Sequence, residues 1–168
     1  MKRDIKFRGK ELHIGEWVYG TYVYTDNNTN NPFGNVIKGN HQIVSYSSGD
    51  WNMGGWAFIE IDPETLGQYT GLKDKDGNEI YEGDIVELTI PDGSTRRFVV
   101  EFVERDRREL RPLDDFEQET ENIIEINGWG FNWNGYKLFP SVIDGKPDYE
   151  RMKVVGNIYE NPDLIEDE

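Results

Sequence analysis

Cysteine is absent from the chain, and histidine occurs only twice in its 168 residues. Without cysteine there are no disulfides, thiolate metal sites or cysteine nucleophiles, a composition typical of proteins in a reducing cytoplasm. His13 lies near the start and His41 lies inside a predicted strand. Neither histidine has the setting that activates a serine or threonine nucleophile. The sequence therefore predicts no catalytic residue and a protein that is not an enzyme.

Long apolar runs and excess positive charge are also missing. The start, MKRDIKFRGKEL, is polar and basic, so we expect neither a signal peptide nor a membrane span. Eighteen basic residues stand against 33 acidic ones, giving a formal net charge of −15. Because cationic side chains drive binding to phosphate, this charge disfavours nucleic-acid and membrane partners. We expect a cytoplasmic protein.

No sequence motif points to a cofactor. The chain has no glycine-rich loop followed by Lys-Ser or Lys-Thr, and no dinucleotide fingerprint. The stretch LKDKDGNEIYEGDIVEL, residues 72–88, resembles a calcium loop in its run of acids. An EF-hand that began at Asp74 would need glycine at its sixth position and glutamate at its twelfth, where this chain has Glu79 and Ile85. Only an irregular site formed by Asp74, Asp76 and Asn78 stays open, and the sequence predicts neither metal nor cofactor.

The same stretch is better explained by turns. Asp76-Gly77 supplies the positive backbone angles of a tight turn, and Glu82-Gly83-Asp84 supplies a second one. A strand begins directly after it. We therefore interpret residues 72–88 as structural.

Aromatic residues are abundant, at 13% of the chain, and many alternate with polar residues as in strands. The strands predicted from this pattern are Glu16–Tyr24, 40–48, 51–61, 84–90, 96–104, 123–139 and 152–159. Gly20 interrupts the first of them, which indicates a bulge or a close approach of another backbone. Short helical turns are predicted at Asp62–Thr65, within 112–121 and at the C-terminus.

These elements predict a mainly β fold with glycine-rich turns. We expect a small, strongly bent sheet or an SH3-like, partly open barrel. The whole chain, 1–168, is interpreted as a single domain. An N-terminal β subregion covers about 1–62, a barrel-like subregion covers about 63–168, and a charged insertion lies at about 104–122.

A group of aromatic side chains flanked by glycine and asparagine is the best candidate for a binding or interface surface, because rigid rings give contact area at low entropic cost. The same side chains would serve equally as the core and rim of a sheet. The candidates are Trp51, Trp56, Trp129, Phe131, Trp133 and Tyr136.

Four segments, in order, carry a resemblance to a known family. They are IKFRGK, GEWVYG, IDPETLGQYTGLKDKDGNEIYEGDIVEL and VVGNIYENPDLI. The chain resembles the YopX family of bacteriophage and prophage proteins. The resemblance implies a phage-encoded protein inside the host bacterial cell and makes oligomeric assembly plausible. It brings no catalytic residues, and the matched positions are mostly glycine, proline and turn residues.

The leading functional hypothesis is a non-enzymatic phage accessory protein that binds another protein or itself. Two alternatives stay open. In the first, acids at 101–121 mimic DNA and inhibit a DNA-binding protein of the host, although Arg105, Arg107, Arg108 and Arg111 interrupt that stripe. In the second, a pair of carboxylates or a metal supports hydrolysis.

Overall fold

A computed structural model describes residues 4–25, 40–47, 54–89, 93–109, 123–140, 142–143 and 146–166. Nearly all of its regular structure is strand. The elements are β1 (Phe7–Lys10), β2 (Trp17–Thr25), β3 (Asn40–Ser47), β4 (Gly55–Glu60), β5 (Gly67–Lys73), β6 (Glu79–Tyr81), β7 (Asp84–Thr89), β8 (Thr95–Glu109), β9 (Ile123–Trp133), β10 (Tyr136–Leu138), β11 (Val142–Ile143), β12 (Lys146–Pro147), β13 (Lys153–Asn157) and α1 (Asp163–Glu166), with 3-10 turns at Pro63–Thr65 and Asp148–Arg151. Within these described ranges, no helix is long and apolar enough to cross a membrane.

Two compact units make up the chain, Met1–Gly83 and Asp84–Glu168. The first contains a six-stranded sheet in the order β4-β3-β2-β1-β5-β6. The second contains a five-stranded sheet in the order β10-β9-β8-β7-β13 and a two-stranded ribbon, β11-β12. The mainly β prediction is confirmed, and neither sheet closes into a barrel.

The boundary between the units falls at Gly83–Asp84, whereas the sequence placed a change of subregion near residue 62. The reason is long-range pairing: β5 follows the 3-10 turn but returns to pair with β1, with Phe7 opposite Gln68. The interpretation of 1–168 as one domain stays a prediction. The helical turn predicted within 112–121 lies outside the described residues.

In the first unit, β2 and β1 form the centre of the sheet, and β3 lies beside β2. Gly20 confirms the expected close approach, because a Cβ at this position would lie 2.2 Å from the carbonyl oxygen of Val44. Ile43, Ile61 and Ile80 are the fully or almost fully buried aliphatic side chains of this unit. The 3-10 turn at Pro63–Thr65 begins as predicted, since the Asp62 carboxylate accepts a hydrogen bond from the Glu64 N–H at 3.0 Å.

The five-stranded sheet of the second unit is built from two hairpins, β7–β8 and β9–β10, and the returning strand β13. The predicted β7–β8 hairpin is present, with Thr89 opposite Thr95. Asn134 and Gly135, at φ of 48° and 85°, form the tight turn between β9 and β10, where both central residues need positive φ. The core of this unit includes Val86, Val100, Phe131 and Met152.

Strand β13 pairs with β7, and the residues directly after β13 are held by hydrogen bonds to the Asn157 and Asn161 side chains. A Cβ on Gly156 would lie 2.5 Å from Oδ1 of Asn161, so a larger residue at this position would have to displace the Asn161 side chain. That Oδ1 accepts a hydrogen bond from the Asn157 N–H at 3.3 Å. Asn157 in turn accepts hydrogen bonds from the N–H groups of Tyr159 and Glu160, at 3.1 and 3.0 Å.

Candidate protein-binding surface

One face of the six-stranded sheet carries four exposed aromatic side chains. Successive side chains of a strand point to opposite faces, so the register between strands decides which residues share a face. Trp56 lies opposite Tyr46, and Phe58 lies opposite Val44, which in turn faces Thr21 of β2. Tyr19, two residues before Thr21, therefore shares this face. We call Tyr19, Tyr46, Trp56 and Phe58 the aromatic face.

The side chains of the aromatic face are largely open to solvent. Trp56 is 69% exposed, Phe58 65%, Tyr46 57% and Tyr19 48%. Tyr46 and Trp56 contact each other edge to face, with ring centroids 5.3 Å apart. Isolated exposed apolar residues are normal on proteins, but several exposed aromatic rings on one face of a sheet are typical of an interaction surface.

Beside the aromatic face, a stacked arginine extends the same side of the sheet. The Arg8 guanidinium lies 4.6 Å from the Trp17 ring centroid and 5.0 Å from that of Tyr81. It also donates a hydrogen bond to the carbonyl oxygen of Glu82 at 3.2 Å, and Arg8 is only 6% exposed. Such stacking joins cation–π attraction to burial of the side-chain stem, so this part of the face is rigid.

An ion pair with a tyrosine holds the far end of the sheet, where β1, β5 and β6 meet. The Lys6 ammonium donates a hydrogen bond to the Glu79 carboxylate, and the Tyr81 hydroxyl donates a second one at 2.8 Å. The hydrogen bond from Lys6 lowers the pKa of Glu79, and the same contact raises the pKa of Lys6. Burial, followed by the hydrogen bond to Glu79, raises the pKa of Tyr81 well above its usual value. We interpret this cluster as structural, because the Glu79 carboxylate is hydrogen-bonded to both the Lys6 ammonium and the Tyr81 hydroxyl.

The loop at 74–78 is the segment for which the sequence allowed an irregular cation site. In the structure, the Asp74 carboxylate instead accepts hydrogen bonds from within the loop. The Asp74 carboxylate accepts from the N–H groups of Asp76 and Asn78 at 2.9 and 2.8 Å and from the Asn78 side-chain amide at 3.1 Å. Asp74 is 4% exposed, and Gly77 has the positive φ, +86°, of a tight turn. The interpretation of this stretch as a turn is confirmed. In the part of the chain that the structure describes, no group of three or more histidine, aspartate or glutamate side chains is placed to hold a metal ion.

His41 has a structural setting in β3. Its Nδ1 lies 2.7 Å from the Tyr22 hydroxyl, and its ring lies 4.9 Å from that of Tyr24. The hydroxyl and the ring nitrogen form a hydrogen bond on the face of the sheet opposite the aromatic face. His41 is thus bonded within the sheet, as a strand histidine usually is.

The aromatic candidates from the sequence do not form one cluster. Trp56 belongs to the first unit, whereas Trp129, Phe131, Trp133 and Tyr136 belong to the second, and Trp51 lies outside the described residues. Their exposures differ widely. Phe131 is a core residue at 1% exposure, Trp129 and Trp133 are half-buried, and Tyr136 is 74% exposed.

The half-buried tryptophans of the second unit have partners within their own sheet. Trp129 lies edge to face with Phe102 at 5.1 Å. Trp133 lies under the Arg96 guanidinium, 4.3 Å from it, and 5.9 Å from the ring of Tyr136. Among the described residues of the second unit, Phe102 and Tyr136 present large exposed rings, fewer than the four of the aromatic face.

Three members of the aromatic face were not singled out from the sequence: Tyr19, Tyr46 and Phe58. The signal was present in their spacing, because Tyr19 alternates with Trp17 and Thr21, and Phe58 with Trp56. The aromatic residues predicted to form a binding surface were instead those flanked by glycine and asparagine. Exposure depends on which face of the sheet the remaining chain covers, and alternation alone does not contain that information.

The second unit also has a cavity of about 450 Å³ beside the end of β9. Its charged lining is already paired. Arg97 contacts the Glu87 carboxylate at 3.3 Å and the carbonyl oxygen of Leu164 at 3.1 Å, while Glu101 accepts from the Asn132 amide at 3.1 Å. These contacts attach the C-terminal turn to β8. The cavity is a packing groove of that turn and presents no cluster of catalytic groups.

The acidic stripe proposed at 101–121 falls partly outside the described residues. In its described part, 101–109, acids and arginines alternate and form ion pairs. Asp106 contacts Arg108 at 2.9 Å, and Arg107 contacts Glu125 at 3.5 Å. Over this part the negative field is interrupted, as the arginine positions in the sequence indicate.

Comparison with known proteins gives a family and a structural likeness. A family model described as YopX protein matches residues 6–166. A comparison with curated proteins gives no match. Among solved structures, the crystal structure of protein EF1440 from Enterococcus faecalis is similar to this chain, with 20% sequence identity, a TM-score of 0.47, and coverage of 98% of this chain and 100% of that one.

Proposed function

Because the chain belongs to the YopX family, we propose that it is a bacteriophage- or prophage-encoded accessory protein that works inside the host cell by binding protein, either another protein or a further copy of itself. The proposal is non-enzymatic. The observation that carries it is the aromatic face: four large rings on one side of one sheet, each about half or more exposed. Their hydration is unfavourable, and burying them against a partner removes that penalty.

Geometry makes this face a better contact surface than the other candidates. It is supported from behind by the strands of a regular sheet, so its rings are held at fixed spacing. Aromatic side chains supply most of the energetically important positions in protein interfaces, because they bury large areas and lose little side-chain entropy. A rigid row of such rings needs little reorganisation on binding.

A pair of tyrosines of equal exposure on opposite faces of the sheet provides the test. Tyr46 belongs to the aromatic face and is 57% exposed, whereas Tyr24 lies on the opposite face and is 56% exposed. Tagged wild-type protein, Tyr46→Ser and Tyr24→Ser would be incubated with extract of a bacterium that carries the phage, to which an untagged copy of the chain is added. We expect Tyr46→Ser to weaken retention of the bound protein by about tenfold, the size of one interface hot spot.

The control and the opposite outcome are equally specific. Tyr24→Ser should retain the partner as the wild type does, because it removes an exposed ring of the same kind from the other side of the sheet. Equal retention by all three proteins, or no specific retention by the wild type, would contradict the proposal. Thermal unfolding of each variant would confirm that the sheet is intact.

A further inference from the structure

The outer edge of β4 is open where the aromatic face reaches it. β4 is the last strand of its sheet, bonded on one side to β3, and within the described residues no strand pairs with its other side along Gly55–Ile59. Edge strands are commonly protected by charge, proline or a bulge. β4 has none of these between Gly55 and Ile59.

The hydrogen-bond pattern shows which backbone groups of β4 point outward. The Ile61 N–H donates to the carbonyl oxygen of His41 at 2.9 Å, toward β3. Antiparallel pairs alternate between bonded and non-bonded, so the backbone groups of Ile59 and Ala57 also face β3, and those of Phe58 and Trp56 face away. The carbonyl oxygen of Glu60 confirms this alternation, because it accepts from the Leu12 N–H at 3.0 Å on the outer side.

The charge distribution favours a second copy of the chain as the occupant. Two copies with a formal charge of −15 each repel one another, so they meet most easily where charge is absent. Gly55–Ile59 is such a place, since it contains no charged residue. An acidic partner strand would gain nothing from charge here, and a basic one would find no carboxylate between Gly55 and Ile59.

We infer that β4 pairs with β4 of a second copy of the chain, antiparallel about a two-fold axis at Ala57, and so joins the two six-stranded sheets into one. This rests on the proposed function, because it names the partner of the aromatic face. The two-fold at Ala57 is the register that pairs the outward residues of β4 only with each other: Trp56 faces the second copy's Phe58, and each such pair exchanges both backbone hydrogen bonds.

This register also makes the aromatic face self-complementary. Trp56 and Phe58 point to the same side of the sheet, so each tryptophan packs beside the phenylalanine of the other copy, an arrangement typical of stabilising cross-strand pairs. Glu60 faces Gly54 of the second copy, which keeps the two glutamates apart. The bond from Leu12 to Glu60 ends the pairing at Ile59.

The size of the contact sets its strength. Aromatic side chains bury roughly 150–250 Å² each, so two tryptophans and two phenylalanines that are about two-thirds exposed remove roughly 400–700 Å² from water. Stable specific interfaces bury about 1,200 Å² or more in total. The pairing is therefore expected to be weak and to depend on protein concentration.

A single introduced cysteine tests the register directly, because the chain contains no other. Residues on the two-fold axis form a non-bonded pair with Cα atoms about 4.5 Å apart, within the range that a disulfide spans. On mild oxidation, Ala57→Cys should give a disulfide-linked dimer. Ser45→Cys is the matched control, since Ser45 faces Ala57 on β3 and would lie about three strand spacings, roughly 14 Å, from its copy.

Charged substitutions at Trp56 and Phe58 provide a second test of the pairing, in which self-association is measured without a cross-link. Phe58→Glu and Trp56→Lys should each weaken self-association by about tenfold, because each removes two cross-strand aromatic pairs. The double variant Trp56→Lys/Phe58→Glu places each lysine opposite a glutamate and should recover part of the loss. Both residues are mostly exposed, so these variants should fold.

Two outcomes overturn the pairing. One is cross-linking of Ala57→Cys that is no faster than that of Ser45→Cys. The other is a double variant that associates no better than either single variant. If the pairing fails and Tyr46→Ser still loses a captured protein, the proposed function stands with a different partner. If Tyr46→Ser also has no effect, the proposed function fails with it.

Discussion

Gly20 shows how a single residue fixes the centre of the first sheet. A Cβ here would lie 2.2 Å from the carbonyl oxygen of Val44, a backbone atom that cannot move without disturbing β3. We expect Gly20→Ala to lower the free energy of unfolding by roughly 1–3 kcal/mol, the usual range for overpacking. Gly55→Ala is the control, since nothing lies within 4 Å of its Cβ position. Equal urea midpoints for the two variants would contradict this packing.

Asp74 makes a second prediction at the scale of one side chain. Its carboxylate accepts three hydrogen bonds from the 74–78 loop, so Asp74→Ala removes all three from the turn and should cost roughly 1–3 kcal/mol, the range for hydrogen bonds to a charged group. Because these oxygens are already bonded, added calcium or EDTA should leave the melting temperature of the wild type unchanged. A calcium-dependent rise in melting temperature that Asp74→Ala abolishes would show that the loop binds the ion.

The Lys6–Glu79 pair links stability to pH. Its hydrogen bond lowers the pKa of Glu79 below its usual value of 4.5, so the stability it contributes is present above that value and is lost as the pH falls through the folded-state pKa. The pair is partly exposed, at 39% and 29%, which limits the effect to roughly 0.2–1 kcal/mol.

The variant Glu79→Gln isolates this contribution. Between neutral pH and about pH 3, urea unfolding should show a smaller loss of stability for Glu79→Gln than for the wild type, because the variant has no carboxylate to protonate. Glu125→Gln, which removes a carboxylate from a more exposed pair, controls for the change in net charge. Identical pH dependence for wild type and Glu79→Gln would contradict the role of the pair.

At the scale of elements, the strands were predictable, but several of their pairings were not. Local patterns identified β2, β3 and the β7–β8 hairpin, because alternation and turn residues act over short distances. The pairing of β1 with β5 and of β13 with β7 joins distant segments, and nothing in their local sequence encodes it.

Irregularities in the strands were harder still. β8 shifts register between Val103 and Asp106, where Arg105 adopts a positive φ of 54° and its N–H donates to the Asn127 side chain at 2.8 Å. A bulge of this kind depends on a side chain from another strand, so the sequence around Arg105 gives no warning of it. The asparagine–glycine turn after β9, by contrast, follows from two adjacent residues.

At the scale of the whole molecule, charge and aromatic surface have opposite effects. A net charge of −15 keeps copies apart, whereas the stretch Gly55–Ile59 of β4 beside the aromatic face adds no charge to that repulsion. Both the acidic composition and the abundance of aromatic residues can be read from the sequence. The aromatic face could not be predicted from the sequence, because the register of three strands decides that its four side chains share one side of the sheet.

Light scattering across a concentration series tests most directly the central claim about this surface, that two copies of the chain pair through the aromatic face and the edge of β4. For the wild type we predict a mass that rises from 19.6 kDa toward twice that value as concentration increases. Trp56→Ser/Phe58→Ser should stay at the monomer mass over the same range. A wild type that stays at 19.6 kDa throughout, or a variant that associates equally well, would contradict this pairing.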